Sequence, residues 1–299
     1  MSAALSASHW LASQCDLGES PVWDARSQCL YFVDITSAQI WRRGWDNERL
    51  TLVYQGTDPV GALALTADEG VLLCAEGSRL RLIEVAAGRV RCSSSAAMSG
   101  ARYRYNDGIC DAAGRFITGL MDAEHAPASG RLDVYTCQQG EFVRRTLWAG
   151  IGLPNGLAWS ADGQWLYFVD STAQAIYRGR YQLDSATLAD VDVFALTPPS
   201  LGRPDGLAID ELGQIWVSQF MGGCVLCYGA EGQLLRQVAV AAPRVTSLAF
   251  SGPDQRCLAV TTARFGLTAA ECAAAPLSGD VFQFATAAAG LARPYFLEG

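Results

Sequence analysis

The sequence predicts an all-β chain folded as a single six-bladed β-propeller over residues 1–299. Three observations predict it. Short runs rich in Val, Leu, Tyr, Phe and Trp are separated by Gly, Asp and Ser, the pattern of strands and turns. Periodicity of the helical kind is nearly absent. Above all, the chain repeats itself: "LGESPVWDARSQCLYFVDI" at 17–35 returns as "LPNGLAWSADGQWLYFVDS" at 153–171, sharing the whole run "LYFVD".

Taken in order, six units begin at Glu19 ("ESPVWDARSQCLYFVD"), Val60 ("VGALALTADEGVLLCAE"), Asn106 ("NDGICDAAGRFITGLM"), Asn155 ("NGLAWSADGQWLYFVDS"), Asp205 ("DGLAIDELGQIWVSQF") and Thr246 ("TSLAFSGPDQRCLAVTT"). Successive starts differ by 41, 46, 49, 50 and 41 residues. Each unit holds a strand of small apolar residues, a polar turn and a second apolar strand. A third such as "QIWRR", "AIYRGRY" or "CVLCYG" usually follows. Several strands in 40–50 residues is the length of a propeller blade. One such sheet cannot bury both faces alone, whereas radial packing buries them against neighbours and leaves only short edges. The segment before Glu19 and the tail "GDVFQFA" are expected to share one blade and close the ring. Unit length argues against a parallel β-helix, and six-fold repetition against stacked sandwiches.

Half of the 299 residues are apolar and 17% are charged, with a net charge of −8 and a pI near 4.8. No basic stripe exists, which excludes nucleic acid and anionic membrane as expected partners. The stretch "MSAALSASHWLASQC" lacks a basic region followed by a long apolar run, and no stretch has the length of a membrane span. A cytoplasmic location, as a monomer or weak homo-oligomer, is therefore expected. The ten cysteines are expected to be free thiols packed as small hydrophobes. Cys224 and Cys227 form a CxxC, read as two buried thiols on opposite faces of a strand.

The six starting residues occupy equivalent places before the innermost strands, so they face one spot at one end of the channel. They are Glu19, Val60, Asn106, Asn155, Asp205 and Thr246. Two carboxylates and two carboxamides converge there. Repulsion between Glu19 and Asp205 calls for a cation or a proton. Such oxygen donors suit a hard divalent ion, Ca²⁺, Mg²⁺ or Mn²⁺. Turn chemistry explains any one of these residues but not the set. The stretch "ARYRYND", if extended, puts Arg102, Arg104 and Asn106 on one face, where guanidinium forks suit hydroxyl pairs and carboxylates. Two arginines there would favour a ligand carrying a free carboxylate. The two histidines, His9 and His125, lie in no nucleophile-elbow or HExxH context.

At "LGESPVWD", "RYNDGICDAAGRFITG", "LPNGLAWSADGQWLYFVD", "RPDGLAID" and "VTSLAFSGPD" the chain resembles the regucalcin (SMP-30)/gluconolactonase family over essentially its full length. The resemblance implies hydrolysis of sugar lactones to sugar acids with one divalent metal cation (Ca²⁺, Zn²⁺, Mg²⁺, Mn²⁺ or Fe²⁺). It implies metal ligands at Glu19, Asn155 and Asp205, and a general base at Asp205. It implies substrate-binding positions at Arg104, Asn106 and, in "MDAEH", Glu124. Other readings are a calcium- or metabolite-binding propeller without turnover and a propeller esterase of another substrate class. A protein-interaction propeller is disfavoured by the polar cluster and by the missing Gly-His and Trp-Asp signatures.

Overall fold

The computed structural model describes residues 5–299. Six four-stranded antiparallel sheets stand as the blades of a propeller. The chain begins with β1 (Ser8–Leu11) and then lays down blades in sequence order. Blade 1 is β2 (Gly18–Asp24), β3 (Cys29–Asp34), β4 (Gln39–Gly44) and β5 (Leu50–Gln55). Blade 2 is β6 (Val60–Leu65), β7 (Val71–Glu76), β8 (Arg79–Glu84) and β9 (Arg89–Ser93). Blade 3 is β10 (Tyr103–Cys110), β11 (Phe116–Asp122), β12 (Gly130–Gln138) and β13 (Glu141–Ile151). Blade 4 is β14 (Pro154–Trp159), β15 (Trp165–Asp170), β16 (Ala175–Gln182) and β17 (Thr187–Leu196). Blade 5 is β18 (Arg203–Ile209), β19 (Ile215–Phe220), β20 (Cys224–Tyr228) and β21 (Leu234–Ala239). Blade 6 is β22 (Val245–Ser251), β23 (Cys257–Thr262) and β24 (Val281–Ala285), completed by β1.

Closure follows the sequence expectation. β1 pairs antiparallel with β24 through His9 opposite Phe282, so the two ends of the chain share a blade. His9 Nε2 lies 2.9 Å from Asp280 Oδ2, and Gln14 N donates to Asp280 Oδ1 at 2.9 Å. A short helix, α1 (Ala269–Ala274), sits between β23 and β24 and begins with a capping box of Thr268 and Glu271.

The core lies between blades. Six buried apolar clusters fill the six interfaces; Val33, Ile40, Val60 and Leu63 join blades 1 and 2, for example, and Leu30, Phe32, Ala259 and Val281 join blades 6 and 1. The inner strands are buried along nearly their whole length, while the outermost strands such as β9 and β21 are largely exposed. Cys224 packs into the cluster facing blade 4 and Cys227 into the one facing blade 6, both as free buried thiols, which places them on opposite faces.

Two repeated local features position the site. Every inner strand breaks register near its start: between Glu19 and Val22, Val60 and Ala62, Tyr105 and Gly108, Asn155 and Leu157, Pro204 and Leu207, and Val245 and Leu248. Such a bulge re-aims side chains. In addition, an acid at the end of the second strand clasps the loop leading into the first. Asp34 accepts from the Asp16 and Leu17 amides, Glu76 from Thr57 and Asp58, and Asp170 from Gly152 and Leu153. In blade 5 this place is held by Gln219, whose buried amide has no partner.

Candidate active site

The bulges bring Glu19, Asn155 and Asp205 to the starts of β2, β14 and β18, all buried, at 5%, 5% and 7% exposure. Asn155 Nδ2 donates to Ser171 Oγ at 3.2 Å, which leaves Asn155 Oδ1 without a partner; Asp205 Oδ1 is likewise buried and unpartnered. Glu19 Oε2 accepts from the Ser20 amide at 2.7 Å. Burial, then Asp205 and Asp107, hold the Glu19 carboxyl well above the ordinary carboxylate range. Burial and then Asp107 do the same to Asp205, against the pull of Arg203, Asn155 and Arg104.

Asp107 is a member of this cluster that sequence reasoning missed. Its carboxyl is pushed up to about 6 by burial, with the Gly108 amide and Arg293 opposing. Strict strand alternation turns it away from Asn106, but the bulge between Tyr105 and Gly108 breaks that alternation. A signal existed in the repeat. The same column holds Ser20, Gly61, Gly156, Gly206 and Ser247 in the other units, so Asp107 is its one charged residue.

Arg104 and Asn106 form the adjoining wall. Arg104 Nη1 donates to Asn106 Oδ1 at 2.7 Å and to Tyr105 O at 3.1 Å. Asn106 Nδ2 donates to Pro154 O at 3.1 Å, across to blade 4. Burial lowers the Arg104 guanidinium to about 10, while Glu19 and Asp205 hold its proton.

Arg102 departs from expectation. It precedes β10 in a turn, and its guanidinium forks onto Asp122, with Nε at 2.8 Å from Oδ1 and Nη2 at 2.6 Å from Oδ2. Its Nη1 lies 2.8 Å from Glu124 Oε2. Two carboxylates thus occupy the charge that the extended reading left for an acidic substrate. Glu124 itself stands at the exposed rim, in the turn after β11, rather than in the buried cluster. His125 is exposed beside it, and His9 is held by Asp280 on blade 6, so neither histidine joins the cluster.

The donor set fits one divalent cation. Two buried acids, Glu19 and Asp205, both raised by Asp107 and both opposed by Arg104, stand with two unpartnered oxygens, Asn155 Oδ1 and Asp205 Oδ1; Arg203 acts on Asp205 and Arg293 on Asp107. A hard cation would relieve the repulsion among the acids and bind those oxygens. Among the described residues no three His, Cys, Asp or Glu side chains gather into a metal-binding group; the cluster is a mixture of carboxylate and carboxamide. A cavity of about 710 Å³ lies elsewhere, at the other ends of the inner strands, lined by Trp23, Leu65, Trp159, Ile209, Phe250 and Arg293.

Comparison with known proteins finds relatives over most of the chain. Residues 17–264 match the family described as "SMP-30/Gluconolactonase/LRE-like region". A pentonolactonase of Haloferax volcanii is 34% identical over 84% of this chain and 83% of its own length. A 6-deoxy-6-sulfogluconolactonase of Pseudomonas putida is 34% identical over 94% of each. The crystal structure of a calcium-binding regucalcin from Agrobacterium tumefaciens superposes with a TM-score of 0.91 at 25% identity, covering 98% of each chain.

Proposed function

This chain belongs to the SMP-30/gluconolactonase/LRE-like family, and on that premise we propose that it is a metal-dependent hydrolase of a neutral aldonolactone. The observation that carries the reading is the pair of buried, unpartnered oxygens, Asn155 Oδ1 and Asp205 Oδ1, beside the raised acids Glu19 and Asp205. Lactonases among its relatives support the substrate class. A neutral lactone is favoured because Arg102 is neutralised by Asp122 and Glu124.

A cation held by Glu19, Asn155 and Asp205 would supply Lewis-acid polarisation of the lactone carbonyl. Asp205 acts as general base at a carboxylate oxygen. It takes a proton from the attacking water as the C–O bond to that water forms, and returns it to the ring oxygen as the lactone C–O bond breaks. Its two oxygens allow coordination through one and proton transfer through the other. Arg104 and Asn106, fixed to each other and to Pro154 O, present their remaining N–H donors to the sugar hydroxyls. Glu124, at the rim, accepts from an outer hydroxyl.

The test is hydrolysis of pentono- and hexonolactones, followed with a pH indicator, on metal-stripped protein before and after readdition of divalent cations. Activity that depends on readdition is expected. Tight cation binding with no turnover of any lactone would favour the binding-protein reading instead.

A further inference from the structure

The peptide carbonyl before each of the three proposed ligands is held by a side chain from a neighbouring blade. Gly18 O, before Glu19, accepts from Thr246 Oγ1 of blade 6 at 2.5 Å. Pro154 O, before Asn155, accepts from Asn106 Nδ2 of blade 3 at 3.1 Å. Pro204 O, before Asp205, accepts from Ser171 Oγ of blade 4 at 2.7 Å. In blade 2 Val60 pairs with Glu76 as Gly18 does with Asp34, and among the described residues no side chain of another blade donates to this equivalent carbonyl, Val60 O. That of blade 3, Tyr105 O, accepts from Arg104 of its own strand. Clamping from the neighbouring blade therefore accompanies the ligand positions.

Ser171 does two things at once. It lies just past β15, 3% exposed, and its oxygen both donates to Pro204 O and accepts from Asn155 Nδ2. A carboxamide has a donor end and an acceptor end. With its nitrogen bound to Ser171, Asn155 keeps Oδ1 free of any protein partner and available to a cation. Without Ser171 it is free to flip and present an NH₂ group, which repels a cation. The peptide preceding Asp205 loses its tether in the same stroke.

We infer that Ser171 is a positioning residue that sets Asn155 and Asp205 for cation binding, with Thr246 holding the backbone at Glu19 in the same way. This rests on the metal reading of those three residues. Groups behind a metal ligand typically change affinity by roughly 10- to 100-fold when removed. The experiment is calorimetric titration of metal-stripped protein with Mn²⁺, alongside the melting temperature of each metal-free variant. Wild type should bind one Mn²⁺, and Ser171→Ala should bind it roughly 10- to 100-fold more weakly. Ser171→Thr, which keeps the hydroxyl, should recover most of the loss. Thr262→Val is the structural control, since Thr262 Oγ1 makes comparable buried bonds to Asp280 O and Gly279 N in blade 6; its Mn²⁺ affinity should match wild type. Thr246→Val carries the test should Ser171→Ala not fold, with the same expected weakening. Wild type that binds no Mn²⁺ overturns the metal reading and this inference with it. Binding by wild type with unchanged affinity in Ser171→Ala, or equal weakening in Thr262→Val, overturns the inference alone.

Discussion

Asp205 combines three proposed roles, as ligand, charge and base, while Asn106 orients a hydroxyl. Asp205→Ala is therefore expected to lower kcat/KM by about 10³-fold or more, within the range of lost general acid–base catalysis. Asn106→Ala should cost roughly 10- to 100-fold, the worth of a charge-assisted or well-buried hydrogen bond. Steady-state kinetics on one lactone would rank them, and the opposite order would remove Asp205 from the base role. The same buried acids set a pH dependence for metal-free protein. Glu19 and Asp205 bind protons more tightly when folded than when unfolded, because burial raises both, with Asp205 and Asp107 acting on Glu19 and Asp107 on Asp205; Arg104 and Arg203 only offset this. Stability is thus greatest below the unfolded carboxylate pKa of about 4 and falls as pH rises through the folded values. Chelated protein should melt lower at pH 8 than at pH 5.5, and a saturating divalent cation should remove most of that difference. Equal melting temperatures at both values in the chelated protein would contradict the raised acids.

At the scale of the strand, the bulge governs the site. After three of the six starting positions the next residue is a glycine, Gly61, Gly156 or Gly206, that lies hard against the next blade. A Cβ on Gly156 would stand 2.5 Å from Asp205 O and 2.4 Å from Leu207 N; one on Gly61 would stand 2.1 Å from Tyr105 O. Backbone atoms cannot swing aside as a flexible side chain does. Gly156→Ala should destabilise by about 2–3 kcal/mol, at the upper end of ordinary point mutations, and should lower activity by displacing Asp205. Gly163 gives the comparison: it has φ +67° but nothing within 4 Å of its Cβ position. Gly163→Ala should cost about 1 kcal/mol through its backbone angle alone and leave kcat/KM unchanged. Thermal melts and kinetics of the two variants would check this. Much of this element was legible: the repeat alone aligned Glu19, Asn155 and Asp205. Arg102 was not legible, because its reading assumed an extended strand, and β10 begins only at Tyr103.

At the scale of the molecule, the ring is closed by a non-local strand pairing. Blades 1–5 are each built from consecutive strands, but blade 6 needs β1 from the far end of the chain. Removing residues 1–12 would leave β24 as a bare edge, uncover Phe282 and Val281, and delete the His9–Asp280 contact. An unpaired edge beside exposed apolar groups invites association with another chain. The truncated protein should melt well below the full chain and form larger species by light scattering. A truncated protein that melts at the full-length temperature would show that the closure carries little of the stability.

The sequence by itself determined the number of blades, their order, the shared closing blade and the polar column whose members converge. It could do so because a repeat imposes equivalent positions, and a closed ring turns equivalence in sequence into proximity in space. Which way each side chain in that column points was decided by tertiary structure. Ser171 and Thr246 reach carbonyls of neighbouring blades from positions 33 and 228 residues away. Arg102 turns to Asp122 and Glu124 because its turn leaves the strand, and Asp107 joins the acids because a bulge abolishes alternation. Hydrogen-bond directions across an interface depend on the packing of two sheets against each other, and no period within one chain segment encodes that packing.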